Sequence, residues 1–293
     1  MKLEYRSVEE LVCAAERCNK KISELVMEEQ AEAMELSIDE VFTKMSFEFQ
    51  VMKQSVADGM NPELKSASGL SGGAAAKMHN AVASGHSHFG TLFGNAMAMA
   101  LAVAESNSCM GQIVAAPTAG SCGVLPAALI SVMEEKQIDE NTIIMGLFTA
   151  SAIGMVIAKN ASISGAEGGC QAEIGTASAM AAGALTEILG GSPQMVCSSV
   201  AIALKNILGL VCDPVAGLVE VPCIKRNAMG VANAFTACEL ACTGITSAIP
   251  TEEVIQSMKI IGQSMSPSLR ETAEGGLAAT PTGCRLCKEI FGK

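Results

Sequence analysis

The sequence predicts an all-α fold: a single large helical domain with Gly/Pro/Cys-rich junctions. Three observations carry this. Aromatic residues are 3% of the 293, with no Trp, one Tyr and 8 Phe, whereas Gly reaches 28 and Met 18. A core poor in rings and β-branched runs suits closely packed helices better than a sheet. Apolar residues are 49% against 17% charged, too apolar for a disordered chain. Finally, Ala/Met/Leu segments alternate with Gly- or Pro-containing turns, and few alternating strand patterns compete.

Taken in order, residues 1–57 read as an N-terminal helical arm. Val8, Leu11, Val12 and Ala15, then Ile22, Leu25 and Val26, recur at helical spacing. Ser7 followed by Glu9 and Glu10 has the character of a helix start, since acidic groups in a first turn favour the dipole. Turn formers concentrate at 58–73, through Asp58-Gly59, Asn61-Pro62 and Ser68-Gly-Leu-Ser-Gly-Gly73. The rest, 58–293, is expected to form one helical domain. Its predicted helices are Thr91 to Ala104, Leu125 to Glu135, Ile143 to Ala158, Glu173 to Leu189, Ser198 to Leu208 and Ala228 to Ala248. Function is expected at the irregular junctions between them.

Several classes are disfavoured. A net charge of −11 repels a phosphate backbone, so nucleic acid is not an expected partner. Twelve Cys and the start MKLEYRSVEE, with no apolar secretory segment, suggest reduced thiols in the cytoplasm. The longest apolar stretch, Ile143 to Ala158, falls short of the about 20 residues of a membrane-spanning helix, so no membrane association is expected. Dinucleotide, P-loop, H-E-x-x-H and G-x-S-x-G patterns are absent. Cys238 and Cys242 with Cys284 and Cys287 could form a zinc site only by closing a long loop.

Three cysteines share a different setting. Cys170 follows Ser164-Gly-Ala-Glu-Gly-Gly169, Cys212 precedes Asp213-Pro214, and Cys223 follows Pro222. Backbone at such junctions can turn a thiolate toward a metal and offer amides to its sulfur. For any one Cys taken alone a small packed hydrophobe is the favoured reading; three placed alike tip it modestly toward ligands.

The strings Glu167-Gly-Gly-Cys170-Gln-Ala-Glu-Ile-Gly175 and Cys212-Asp-Pro-Val-Ala-Gly-Leu-Val-Glu-Val-Pro-Cys223-Ile-Lys-Arg-Asn227 closely resemble the iron-sulfur-dependent L-serine dehydratases, specifically their alpha chain. The resemblance extends over Ser68 to Gly73, Ala116-Pro-Thr-Ala-Gly-Ser-Cys-Gly-Val-Leu-Pro126 and Glu274-Gly-Gly-Leu-Ala-Ala-Thr-Pro281, so it covers roughly residues 60 to 282. It implies that Cys170, Cys212 and Cys223 hold a [4Fe-4S] cluster whose fourth iron stays open for L-serine. It also implies conversion of serine to pyruvate and ammonia without pyridoxal phosphate, and a separate beta chain as partner. In single-chain relatives a terminal Cys plugs the open iron; Cys284 and Cys287, neither of them the last residue, are expected instead on a mobile tail.

Within that picture, the turn of Ser68, Gly69, Ser71, Gly72 and Gly73 leading into a helix offers hydroxyls and amides to a substrate carboxylate. Thr118 and Ser121 are further candidates for substrate contact. His79, His86 and His88 are candidate proton acceptors, because a neutral imidazole suits that task near pH 7. The competing reading is a metal-binding helical scaffold without turnover.

Overall fold

The computed structural model describes residues 5–292. Among the described residues thirteen α-helices run in the order α1 (Val8–Cys18), α2 (Ile22–Met34), α3 (Ile38–Gly59), α4 (Ala74–Ala83), α5 (Thr91–Ser108), α6 (Val124–Lys136), α7 (Glu140–Asn160), α8 (Gly165–Gly168), α9 (Thr176–Ile188), α10 (Pro193–Lys205), α11 (Cys223–Cys242), α12 (Thr251–Ser264) and α13 (Pro281–Phe291). Among the described residues there is no strand, only an isolated parallel bridge between Cys212 and Arg270. The all-α expectation holds.

Helix α9 is the centre, packed against α6, α7, α10 and α11. Its residues from Thr176 to Glu187 are all buried, as the sequence TASAMAAGALTEI allows: small side chains let neighbouring backbones approach. The outer helices are amphipathic instead. Helix α1 buries Val8, Leu11, Val12, Ala14 and Ala15, and Ser7 caps it by accepting a 2.9 Å hydrogen bond from the Glu10 amide. A cap of this kind contributes about 1 kcal/mol. Residues from α1, α2 and α3 enter the same core as those of the later helices.

Boundaries differ from the sequence expectation in ways that have causes. Helix α11 starts at Cys223, five residues early, and stops at Cys242, because Gly244 at φ 87° turns the chain out of helix. Helix α10 begins at Pro193, behind the capping Ser192. Helix α7 runs from Glu140 to Asn160, longer than its apolar stretch, and is long and apolar enough to cross a membrane by length and composition; 67% of its most apolar window is buried inside the molecule. The segment expected as a mobile tail is helix α13, with Thr280 as its cap and Pro281 at its first position. It carries Cys284 exposed and Cys287 half-buried.

Two of the irregular stretches between helices, 206–222 and 265–280, meet at the Cys212–Arg270 bridge. There the Cys212 amide donates to Leu269 O (2.9 Å) and the Glu271 amide donates to Cys212 O (2.8 Å). Ala216 (φ 58°), Glu271 (64°) and Ala273 (57°) all hold left-handed backbone here, a conformation that costs a non-glycine residue on the order of 1 kcal/mol.

Candidate functional site

Cys170, Cys212 and Cys223 come from three separate segments and are all buried. Cys170 lies at the mouth of a π-helical turn, Gln171–Gly175, that leads into α9; such turns widen a helix locally and often mark functional sites. Gln171 fixes this turn: its amide donates to Leu210 O (2.9 Å), its side chain accepts from the Gly209 amide (2.9 Å) and donates to Met258 O (2.8 Å). The stretch before Cys212 is thereby held against the Cys170 turn. Cys223 opens α11, directly after Pro222.

A buried ion pair ties the latter two cysteines together. Arg226, on the first turn of α11, donates to Asp213 Oδ1 (2.9 Å) and to Val211 O (2.8 Å), and its guanidinium also reaches the Cys170 sulfur. The other oxygen of Asp213 accepts from the Leu277 amide (2.8 Å), which anchors the 265–280 stretch. Asn227 reaches the remaining turn, accepting from the Gly123 amide (2.8 Å) and donating to Gly120 O (2.9 Å).

Electrostatics place the three sulfurs in one environment. Burial pushes the Cys170 thiol up to about 11, against the pull of Arg226. Burial, then the charges at Cys170 and Glu173, push Cys223 up to about 12. Cys212 is also raised, first by burial and then by Cys170, Glu173, Glu271 and Cys223. Three thiols that sense one another's charge resist ionising together, and a cationic metal group removes that resistance. Among the described residues, no three His, Cys, Asp or Glu side chains are arranged to hold a single ion. Soft thiol donors gathered in one buried region without converging on one point fit a multinuclear iron-sulfur group.

Glu173, within the string Glu167 to Gly175, has no role expected from the sequence. Its Oε1 accepts from the Thr118 hydroxyl (2.7 Å), and Thr118 Oγ1 lies 3.2 Å from Ser121 Oγ. A side chain at Gly165 would sit 2.9 Å from Cys212 Sγ and 3.0 Å from Glu173 Oε2, so the sulfur and the carboxyl press on the same glycine. Burial raises the Glu173 carboxyl above its usual range, opposed by the Thr118 hydrogen bond and reinforced by Glu271. The signal was its i+3 spacing from Cys170, which one turn of helix carries to the same side.

The Ser68 to Gly73 turn does meet carboxylates, but the protein's own. Ser66 Oγ donates to Glu220 Oε2 and Ser68 Oγ to Glu220 Oε1, both at 2.7 Å, and the Ser71 hydroxyl donates to Glu220 as well. The α4 amides of Ala74 and Ala75 donate to buried Glu105, at 3.0 and 3.1 Å. Gly69, Gly72 and Gly73 all have positive φ, and a Cβ on Gly72 would lie 2.0 Å from Leu64 O, so the turn itself requires glycine there. Glu220 lies between Cys212 and Cys223, so this turn is docked on the cysteine-bearing loop. Thr118 and Ser121 are brought to Glu173. His79, on α4, and His86 and His88, in the loop after it, are exposed. No imidazole hydrogen bond links them to the site among the described residues.

Comparison with known proteins gives a consistent set of likenesses. A family model described as serine dehydratase alpha chain matches residues 17–278. A probable L-serine dehydratase alpha chain of Bacillus subtilis (strain 168) is 49% identical over 288 residues, 98% of this chain and 96% of the relative. The L-serine dehydratase alpha chain of Peptoniphilus asaccharolyticus is 43% identical over 277 residues, 94% of this chain and 95% of that one. L-serine dehydratase TdcG of Escherichia coli (strain K12) is 46% identical over 181 residues, which are 61% of this chain but 40% of that longer protein.

Proposed function

This chain belongs to the serine dehydratase alpha chain family, and on that premise we propose that it is the subunit of an L-serine ammonia-lyase that binds L-serine and converts it to pyruvate and ammonia. In this reading Cys170, Cys212 and Cys223 hold a [4Fe-4S] cluster. The observation that carries the reading is the gathering of three buried thiols from three segments around Arg226, with Glu173 and Thr118 beside them. When bound, a cluster with one iron free of protein ligands supplies Lewis acidity to the substrate hydroxyl, a poor leaving group otherwise.

The chain's own residues account for the rest. Arg226 offsets thiolate charge next to Cys170, and Asp213 keeps the guanidinium in place. Glu173 takes the proton from Cα of serine: burial makes its carboxylate a stronger base, and the Thr118 hydroxyl fixes its orientation. Loss of that proton and of the hydroxyl leaves aminoacrylate, whose imine form hydrolyses to pyruvate and ammonia. Thr118 and Ser121 contact the substrate. A substrate carboxylate reaches Ser68, Gly69, Ser71, Gly72 and Gly73 only by displacing Glu220. The exposed imidazoles of His79, His86 and His88 stay outside this scheme. The relatives' designation as alpha chains supports a separate beta chain as partner, and twelve free thiols support a reducing cytoplasm.

Iron and sulfide analysis of anaerobically purified protein, coupled to a pyruvate assay with and without the beta chain, tests this. About four iron and four sulfide per chain with serine-dependent pyruvate is the expected result. One zinc per chain and no turnover would replace it with the scaffold reading.

A further inference from the structure

A cavity of about 570 Å³ lies apart from the cysteines: none of Cys170, Cys212, Cys223 or Glu173 lines it. Its wall gathers Lys159, Lys259 and Arg270 against one acid, Glu167. In a chain with 30 acidic and 19 basic residues, such a local excess of positive charge runs against composition. Arg270 is the telling member. Its Nε is buried and has no hydrogen-bond partner, and its guanidinium makes no ion pair among the described residues. A planar fork of N–H donors left unmatched at a basic cavity is complementary to a carboxylate or phosphate group.

We propose that this cavity binds a small oxyanion, held by the Arg270 fork with Lys259 adding charge. Its placement gives the ligand leverage. Gly168 and Ala172, two residues either side of Cys170, form part of the wall, and the backbone of Arg270 pairs with Cys212. An occupant therefore touches the segment that carries Cys170 and the 265–280 stretch bridged to Cys212, and braces one against the other. The site needs neither cluster nor turnover, so it stands or falls separately from the proposed reaction.

Thermal melting and equilibrium dialysis on the full chain test it, with inorganic phosphate and succinate as probes and chloride at matched ionic strength as control. The expected result is saturable binding of at least one probe with a rise in melting temperature. Binding should weaken at least tenfold in Arg270→Gln and several-fold in Lys259→Gln, an exposed position that leaves the fold intact. Phosphate binding alone identifies a phosphorylated ligand, and succinate binding alone a dicarboxylate; either supports the site. Wild-type affinity in both variants, or chloride matching the effect of both probes, overturns it.

Discussion

At the residue scale, the cysteines divide by setting. Cys197 is as buried as the three candidate ligands but packs beside Thr251, its sulfur 3.0 Å from the hydroxyl. Replacing Cys170, Cys212 or Cys223 with Ser should each abolish the brown absorbance and the iron content of anaerobically prepared protein, while Cys197→Ser keeps both. Equal loss in all four would sink the ligand assignment. For Glu173, the amide of Glu173→Gln keeps the hydrogen bond from Thr118 within reach but cannot accept a proton. We expect kcat to fall by about 10²- to 10⁴-fold with iron content unchanged; loss of iron as well would make Glu173 a residue of cluster assembly instead.

At the element scale, the molecule caps several helices with carboxylates distant in sequence. Helix α2, whose N-cap Lys21 has no side-chain acceptor, has its Ile22 amide bound by buried Glu187 (2.8 Å), and α4 uses Glu105 in the same way. Helices α1 and α12 exchange caps: the Val8 amide donates to Glu252 (2.6 Å) and the Thr251 amide donates to Glu9 (2.9 Å). A negative group at a helix start offsets the unpaired amides and the dipole. The exchange also sets two acids against each other. Burial, then the hydrogen bond with Glu9, pushes the Glu252 carboxyl from the ordinary 4.5 up to about 8. The folded chain holds this proton more tightly than the unfolded one, so its contribution to stability is complete below about pH 4.5 and is lost as pH rises through about 8. Melting temperature should therefore fall between pH 6 and 9 in the wild type and fall less in Glu252→Gln; parallel curves would refute the raised Glu252 carboxyl.

Helix starts also mark the limit of what could be read locally. Ser7 announces α1 because the capping side chain adjoins the helix it caps. Glu105 could not be read this way: it sits 31 positions from the Ala74 amide it binds, and nothing in its neighbourhood of the chain signals that contact. The same distance explains why the Ser68 to Gly73 turn looked open to a substrate. Its chemistry, hydroxyls and amides suited to a carboxylate, was legible. The occupants, Glu220 and Glu105, were not.

For the whole molecule, the three cysteines join the π turn before α9, the bridge with the 265–280 stretch and the start of α11. A group bound to all three cross-links those segments and stabilises the folded chain by its binding free energy. Anaerobic reconstitution with iron and sulfide should raise the melting temperature by at least about 5 °C, on the scale of 2–4 °C per kcal/mol for a chain of this size, and air oxidation should reverse the rise. No difference between loaded and unloaded protein would mean that the three sulfurs are not bridged.

The sequence by itself determined the helical class, because small and unbranched apolar residues between Gly and Pro turns leave no pattern for a sheet, and it determined which cysteines stand at junctions where helix cannot continue. Only the tertiary structure decided what those junctions face. Glu173 beside the Cys212 sulfur, Arg226 between Asp213 and Cys170, Glu220 under three serines and the unmatched Arg270 are all meetings of residues that the chain keeps apart and packing brings together, and charge at a buried site is set by such neighbours rather than by adjacency along the backbone.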